Sequence, residues 1–186
     1  MLTPSGGKRF EHERCMRQPI AGRAARVYIS AKQPARCAMA EPIVALVADH
    51  AGFELKNSLK AILEERGVAV LDLGPDSADP VDYPDMAGRL AMAINDGRAG
   101  RGVMVCGTGI GISMAANRFS WIRAAPCGDV TAARLAREHN DANVLALGAR
   151  LVGVQVARDC LLTFIETPFA GGRHAGRVAK LGRDAS

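Results

Sequence analysis

Residues 105–113 read VCGTGIGIS, and this stretch decides the fold. The residues before it, Gly102–Val105, are mostly apolar or β-branched and predict a buried strand. Cys106 ends that strand, and three glycines at alternate positions open a helix predicted over Ile112–Arg118. Because glycine lacks a Cβ, the N–H groups of such a turn can point together at one anion, and the helix N-terminus adds partial positive charge. The stretch therefore indicates a candidate base or nucleophile beside an anion-binding turn.

Two plainer interpretations of the same stretch stay open. Glycine-rich turns between a strand and a helix occur in many α/β proteins, and a lone cysteine is more often a small buried apolar residue. The turn lacks the Lys-Ser/Thr ending of a nucleoside triphosphate loop and the Gly-x-Gly-x-x-Gly spacing of a dinucleotide fingerprint. The other polar residues of the chain must decide between these interpretations.

Composition limits the class of protein. The chain has 186 residues, 48% of them hydrophobic and only 4% aromatic, which suits small aliphatic side chains packed between helices and a parallel sheet. No apolar run approaches the roughly 18 residues that a membrane-spanning helix needs. The five cysteines form no Cys-x-x-Cys pair. We therefore expect no disulfide framework, no structural metal site and a cytoplasmic location.

Residues 1–40 differ from the rest of the chain. They hold eight Lys and Arg against two Glu, so they carry +6 of the net charge of +5, and the remaining residues carry −1. Their lack of apolar periodicity predicts a basic, disordered N-terminal extension, followed by a single domain over residues 41–186. An upstream start codon assigned in error, a species-specific extension and an organelle-targeting peptide are alternative origins.

From Pro42 onward, strand patterns alternate with helix patterns. This alternation predicts an α/β, three-layer, doubly wound Rossmann-like fold with a five-stranded parallel sheet. The predicted strands are Ile43–Ala48, Val68–Leu73, Gly102–Val105, Ile122–Cys127 (with its ladder ending at Pro126) and Asn143–Leu147. The predicted helices are Phe53–Arg66, Met86–Ile94, Ile112–Arg118, Val130–Glu138, Val152–Glu166 and one within Gly171–Leu181, and Gly74–Pro84 is predicted to be a loop.

Polar residues follow the predicted strands, where folds of this class bind ligands. Asp49-His50 follows the first strand, Asp82-Tyr83-Pro84 follows the second, and the Cys106 turn follows the third. His139-Asn140-Asp141 instead precedes the fifth strand. We therefore expect this last segment at the opposite edge of the sheet, where only a neighbouring subunit could bring it to the other residues.

These segments closely resemble the ribose-5-phosphate isomerase B family, which also includes galactose- and allose-6-phosphate isomerases. The resemblance covers residues 43 to about 180. The segments that carry it are DHAGF (49–53), DYP (82–84), CGTGIGIS (106–113), HNDANVL (139–145) and GGRH (171–174). Some relatives use a glutamate as the base, and this chain has the cysteine version.

The resemblance implies aldose–ketose isomerisation of a sugar phosphate through a cis-enediolate, without a cofactor or metal. Cys106 would move the proton from C2 to C1, Asp49 would move one between the two oxygens, and His139 would open the sugar ring. Thr108 and the amides from Gly107 to Ser113 would stabilise the oxyanion. The implied substrate and phosphate contacts are His50, Tyr83, Gly107, Gly109, Gly111, Ser113, Asn140, Arg150, Arg173 and Arg177. The resemblance also implies a homodimer with shared sites, to which the partner contributes His139, Asn140 and Arg150.

Several of these residues have structural alternatives. Asp49 could only cap the following helix, and Tyr83 could be ordinary loop packing. His139-Asn140 could be a helix C-terminus with the asparagine in left-handed geometry, and Arg173 and Arg177 could form a solvated face. Cys127 and Cys160 are predicted to be core residues. His174 could support a site residue without touching the substrate, and Trp121 receives no role.

The main hypothesis is an isomerase of ribose 5-phosphate and ribulose 5-phosphate. The alternatives are the same chemistry on erythrose/erythrulose 4-phosphate or on allose or galactose 6-phosphate, and a non-catalytic phosphosugar-binding subunit. We expect no nucleic-acid partner, because residues 41–186 show no basic stripe with interleaved aromatics, and no membrane partner. Whether two dimers join into a tetramer stays open.

Overall fold

A computed structural model describes residues 43–181 of the chain. These residues belong to one compact unit. The predicted N-terminal extension, residues 1–40, lies outside the described residues, so both the extension and the domain boundary stay predictions. Among the described residues, no helix has the length and apolarity needed to cross a membrane.

Five parallel strands and six α-helices follow one another in the described part of the chain. The strands are β1 (Val44–Ala48), β2 (Val70–Asp72), β3 (Arg101–Cys106), β4 (Ala124–Pro126) and β5 (Val144–Gly148). The helices are α1 (Phe53–Glu65), α2 (Tyr83–Asn95), α3 (Ile110–Ala116), α4 (Val130–Asn140), α5 (Val154–Glu166) and α6 (Ala175–Val178). Short 3₁₀ turns occupy His50–Gly52 and Gly172–His174.

The strand order is β2-β1-β3-β5-β4, and every pairing is parallel. Alternate residues of the central strands point into two different apolar clusters, as the period of a strand requires. One cluster lies under α1, α4 and α5, and the other lies under α2 and α3. The predicted doubly wound, three-layer architecture is therefore confirmed.

Most predicted elements are present, with boundaries moved by local chemistry. Helix α2 begins at Tyr83 rather than Met86, because Pro84 is compatible with a first helical turn, where its missing N–H has no helical partner. Helix α4 runs through Asn140, and the left-handed residue after it is Asp141 (φ 44°) rather than Asn140, the residue for which that conformation was one alternative. Strand β4 ends at Pro126, as predicted.

The segment Gly171–Leu181 differs more from its prediction. It forms a 3₁₀ turn followed by the single helical turn of α6, rather than one helix. Both Gly171 and Gly172 have positive φ, which bends the chain before the helical turn can begin.

Cys127 and Cys160 are core residues, as predicted. Cys127 is 5% exposed and Cys160 is fully buried, and both belong to the cluster under α4 and α5. Burial raises the pKa of the Cys127 thiol to about 12 and that of Cys160 to about 11. Both thiols therefore stay protonated at neutral pH and act as small apolar groups.

The fold predicts opposite effects for two glycine-to-alanine variants. A Cβ on Gly52 would lie 2.5 Å from the backbone oxygen of Val105, whereas a Cβ on Gly88, within α2, would meet nothing within 4 Å. We expect Gly52→Ala to lower the free energy of unfolding by roughly 1–3 kcal/mol. Gly88→Ala should raise it by about 0.5–1 kcal/mol, because alanine favours a helix interior. Urea unfolding of both variants checks this, and a Gly52→Ala protein as stable as the wild type would contradict the close approach.

Candidate active site

The carboxyl ends of β1 and β3 form the topological switch point of the sheet. The chain leaves β1 toward β2 on one side, whereas β3 pairs with the other side of β1. Connections that diverge from two adjacent strands leave a crevice between their ends, and open α/β sheets bind ligands there. Asp49 follows β1 and Cys106 ends β3, so the structure brings these two predicted residues to that crevice.

Cys106 lies at the bottom of the glycine-rich turn. Its side chain is almost buried, and its Sγ accepts a hydrogen bond from the N–H of Gly109 at 3.1 Å. Gly109 has a φ of +78°, and a Cβ there would lie 3.0 Å from the backbone carbon of Leu147. The turn therefore folds back over the thiol only because position 109 is glycine.

Thr108 completes the turn against the end of β5. A Cβ on Gly148 would lie 2.6 Å from the backbone carbon and oxygen of Thr108. The Thr108 hydroxyl oxygen accepts a hydrogen bond from the N–H of Ile110 at 3.3 Å, and its side chain is exposed. The next two amides, those of Gly111 and Ile112, lie in the first turn of α3, where a helix offers them no acceptor. The turn thus presents a hydroxyl and N–H donors beside a sulfur atom.

Ser113 lies further inside than the sequence suggested. It is buried, its N–H donates to the carbonyl of Gly109 at 3.3 Å, and its hydroxyl donates to the carbonyl of Ile110 at 2.8 Å. Both donors of Ser113 therefore hold helix α3 together. Gly107 precedes these residues in the turn and is partly buried.

Asp49 caps the 3₁₀ turn that leads into α1. Its Oδ1 accepts a hydrogen bond from the N–H of Gly52 at 2.9 Å, and its own N–H donates to the carbonyl of Val105 at 3.0 Å. The structural alternative for Asp49 is thus present in the molecule, and a chemical role for the same carboxylate remains a proposal. His50, the next residue, is exposed at the same edge.

Tyr83 rests on the glycine-rich turn from the other side. A Cβ on Gly111 would lie 2.9 Å from Cζ of the Tyr83 ring and 3.2 Å from its hydroxyl oxygen. The residue is 41% exposed, so Tyr83 covers the turn while part of its surface stays open to solvent. The loop after β2 and the turn after β3 therefore meet, as the sequence predicted.

Arg150 differs from its expected placement. It follows β5 at the carboxyl edge, its N–H donates to the carbonyl of Gly107 at 3.0 Å, and its guanidinium lies 3.6 Å from where a Cβ of Gly107 would be. The resemblance had assigned Arg150 to the partner's contribution. The chain instead places this arginine beside its own Cys106 turn, because the β5 end is in register with the β3 end.

A second cluster lies at the amino edge of the sheet. The rings of His139 and His174 are stacked, with centroids 4.3 Å apart and an angle of 6° between their planes. They line one cleft together with Asn140 and Arg177. Loss of water lowers the pKa of His174, and the charges of His139, Arg173 and Arg177 lower it further. Arg173 is exposed beside His174.

The two clusters cannot meet within one chain. Cys106 pairs in register with Gly148, at the end of β5, whereas α4 delivers His139 ahead of Val144, where β5 begins. Four strand residues span about 13 Å at 3.3 Å per residue. The predicted separation of His139 and Asn140 from the Cys106 turn is therefore present in the structure.

Sequence reasoning missed a buried ion pair behind the carboxyl edge. Lys56 is 1% exposed, and its Nζ lies 2.7 Å from Oδ1 of Asp72. Lys56 adjoins the apolar stripe of α1, so helical periodicity alone gave a weak signal for its burial. Asp72, at the end of β2, was the one signal in the sequence for this burial, because a buried ammonium group requires a partner.

Comparison with known proteins shows the family of this chain. A family model described as Ribose/Galactose Isomerase matches residues 44–181. Ribose-5-phosphate isomerase B of Escherichia coli is 45% identical over 135 residues, which are 73% of this chain and 91% of the relative. D-erythrulose-4-phosphate isomerase of Pectobacterium atrosepticum is 42% identical over 141 residues, which are 75% of this chain and 92% of the relative.

A solved structure shares both fold and sequence with this chain. The ribose-5-phosphate isomerase B of Clostridium thermocellum superimposes with a TM-score of 0.74 at 46% identity, covering 75% of this chain and 95% of the other. The predicted resemblance is thereby confirmed. The chain belongs to the ribose/galactose isomerase family.

Proposed function

We propose that this protein interconverts ribose 5-phosphate and ribulose 5-phosphate through an enediolate, with Cys106 as the base. The observation that carries the proposal is the Sγ of Cys106 held against the N–H of Gly109 at the switch point of the sheet, beside Asp49. A base and oxyanion donors in one turn are what removal of a proton next to a sugar carbonyl requires. Relatives named for this reaction support the choice of sugar.

The proton transfers are assigned to groups at the carboxyl edge. The Cys106 sulfur takes the proton from C2, and the electron pair of that bond forms the C1–C2 double bond and leaves negative charge on O1. Thr108 and the amides of the turn stabilise this charge, a contribution of about 3–4 kcal/mol for a well-placed donor. Asp49 passes the proton of O2 to O1. The sulfur then returns its proton to C1 as O2 becomes the carbonyl oxygen.

Cationic side chains hold the sugar phosphate in this scheme. Arg173 and Arg177 are exposed at the amino edge, and the guanidinium group matches phosphate oxygens in a forked geometry. His139 opens the furanose ring beside them, and Asn140 lines the same cleft. His50, Arg150 and Tyr83 contact the substrate from the carboxyl edge. No cofactor takes part in any of these steps.

The separation of the two clusters leads us to propose a homodimer with shared sites. The carboxyl edge of one subunit would face the amino edge of the other, which unites the Cys106 turn with His139. Exposed apolar side chains at or next to the carboxyl edge supply a surface for this contact. They are Ile110, Met114, Leu151 and Val154, each at least half exposed. A cytoplasmic setting suits the three free cysteines found among the described residues.

A second substrate deserves the same test. The relative named D-erythrulose-4-phosphate isomerase is nearly as similar to this chain as the ribose-5-phosphate isomerase B relative is. The chemistry at Cys106 would be unchanged, and the distance from the turn to the arginines would select the chain length. A non-catalytic phosphosugar-binding role is less well supported, because Asp49, Cys106 and Thr108 are all present at one edge of the sheet.

We predict that the purified protein isomerises ribose 5-phosphate in preference to erythrulose 4-phosphate and allose 6-phosphate, and that Cys106→Ala loses nearly all turnover. Loss of the base should lower kcat by about 10²–10⁴-fold, the usual contribution of a general base. Steady-state assays on the three sugars measure this. Cys160→Ala is the matched control, since it removes a thiol far from the turn and should retain activity. A Cys106→Ala protein that keeps most of the wild-type rate would exclude the cysteine as base.

We also predict that two inactive variants complement each other. Cys106→Ala and His139→Ala damage different halves of the site, so a heterodimer holds one intact and one doubly damaged site. Mixed and reassociated subunits should recover about one quarter of the wild-type activity, if the halves pair at random across a twofold axis. The control mixes Cys106→Ala with Thr108→Ala, which damage the same half and should recover nothing. No recovery in the first mixture would show that each subunit holds its own complete site.

A further inference from the structure

Lys56 holds the only fully buried ammonium among the described residues. It lies in α1, one turn after the 3₁₀ segment that Asp49 caps. Its Nζ donates to Oδ1 of Asp72 at 2.7 Å and to the carbonyl oxygen of Pro75 at 3.0 Å. Because taking an ammonium group out of water costs several kcal/mol, these two acceptors must be held firmly in place.

The Asp72 carboxylate accepts hydrogen bonds from three donors. Besides Lys56, its Oδ1 accepts the N–H of Gly74 at 3.0 Å, and its Oδ2 accepts Nζ of Lys60 at 3.1 Å. Partial burial by itself would raise the pKa of Asp72, but the bonds from Lys56, Gly74 and Lys60 outweigh burial and lower it. The carboxylate is therefore ionised at neutral pH and fixes the first residues after β2.

Backbone contacts link the loop after β2 to the candidate active site. The carbonyl of Gly74 accepts the N–H of Ala48 at 3.1 Å, directly before Asp49. A Cβ on Gly74 would lie 3.8 Å from the side chain of Met86, so this part of the loop also packs on α2. Helix α2 begins with Tyr83, whose ring covers Gly111. The Lys56–Asp72 ion pair thus holds the loop after β2 next to the segments that carry Asp49 and Tyr83.

We propose that Lys56 is a positioning residue of the isomerase site: through Asp72 and Pro75 it fixes the loop of residues 73–82, and thereby Asp49 and Tyr83, without touching the sugar. This inference rests on the proposed function of the Cys106 site. A methionine would fill the space of the lysine stem, and replacing a buried pair by apolar groups is often neutral or stabilising. Stability alone therefore gives little reason for a charge at this depth, whereas a fixed loop geometry does.

The first test compares Lys56→Met with Lys60→Met. Both lysines bind Asp72, but the Lys60 side chain is 35% exposed and does not reach Pro75. We expect Lys56→Met to lower kcat/KM by about 10–100-fold, since a displacement of about 1 Å in a site can cost 10²-fold. Lys60→Met should stay within about twofold of the wild type, as expected for an exposed pair. A Lys56→Met protein with wild-type kcat/KM overturns the proposal.

A double variant separates positioning from stability. Lys56→Met leaves Asp72 without its buried partner, so we expect a lower Tm, and Lys56→Met with Asp72→Asn removes both charges and should recover that Tm. If Lys56 positions the loop, kcat/KM stays low in the double variant although its Tm recovers. Recovery of both quantities would show a purely structural pair. A double variant less stable than Lys56→Met would also overturn the account.

Amide hydrogen exchange measures how firmly the loop is held, independently of activity. Exchange over residues 73–82 should be faster in Lys56→Met than in the wild type and Lys60→Met. Unchanged exchange overturns the inference. Failure of the wild type to isomerise any sugar phosphate would instead overturn the proposed function, and the exchange result would still report whether Lys56 holds the loop.

Discussion

Contacts between backbone atoms, with no room for a side chain, join the ends of β1, β3 and β5. Gly52 lies against the carbonyl of Val105 and Gly148 against Thr108, each closer than a Cβ would allow, and Gly109 packs on Leu147 with a φ of +78° that disfavours any other residue. These contacts bend the turn after β3 until the N–H of Gly109 points at the sulfur of Cys106. The positions of Asp49, of the first helix amides and of the Tyr83 ring all depend on this close approach of three strand ends.

The order and direction of the strands place the candidate site residues at two opposite edges of the sheet. Cys106, Asp49 and Arg150 lie at the carboxyl edge, and His139 and His174 lie at the amino edge. The two edges of one sheet cannot meet within a chain, because β3 and β5 extend from one edge to the other and each is paired with a strand on both sides. The proposed assembly of two subunits would bring them together, and it would place the cationic cleft of one subunit opposite the Cys106 turn of the other. Chemistry at the turn and phosphate binding at the cleft would then be tied to the same interface.

Much of this arrangement could be predicted from the chain alone. The alternation of strand and helix patterns predicted the three layers of the fold. Because parallel sheets bind ligands at the carboxyl ends of their strands, the sequence also predicted Asp49, Tyr83 and Cys106 at one edge. The position of His139 before its strand, rather than after it, correctly predicted its separation from Cys106. These inferences succeed because they depend on chain order and on local periodicity, both of which are visible in a sequence.

Other features depend on tertiary pairing and could not be predicted in that way. The position of β5 beside β3 brings Arg150 to the Cys106 turn, and nothing local to Arg150 signals this. Asp141, rather than Asn140, ends α4 in left-handed geometry, where Arg137 pairs with its carboxylate at 2.9 Å. The burial of Lys56 follows from Asp72 and Pro75 folding back over α1, a contact between residues 16 and 19 positions apart.

The most direct test of the account is a crystal structure of the Cys106→Ala protein with ribose 5-phosphate bound. The account predicts C2 of the sugar within about 3–3.5 Å of the place that the sulfur occupies, as a near-attack geometry requires. It also predicts the phosphate on Arg173 and Arg177 of the second subunit. A phosphate seated instead on the amides of Gly111 and Ile112, with C2 turned away from residue 106, would contradict the assignment of the turn to chemistry and of the arginines to phosphate binding.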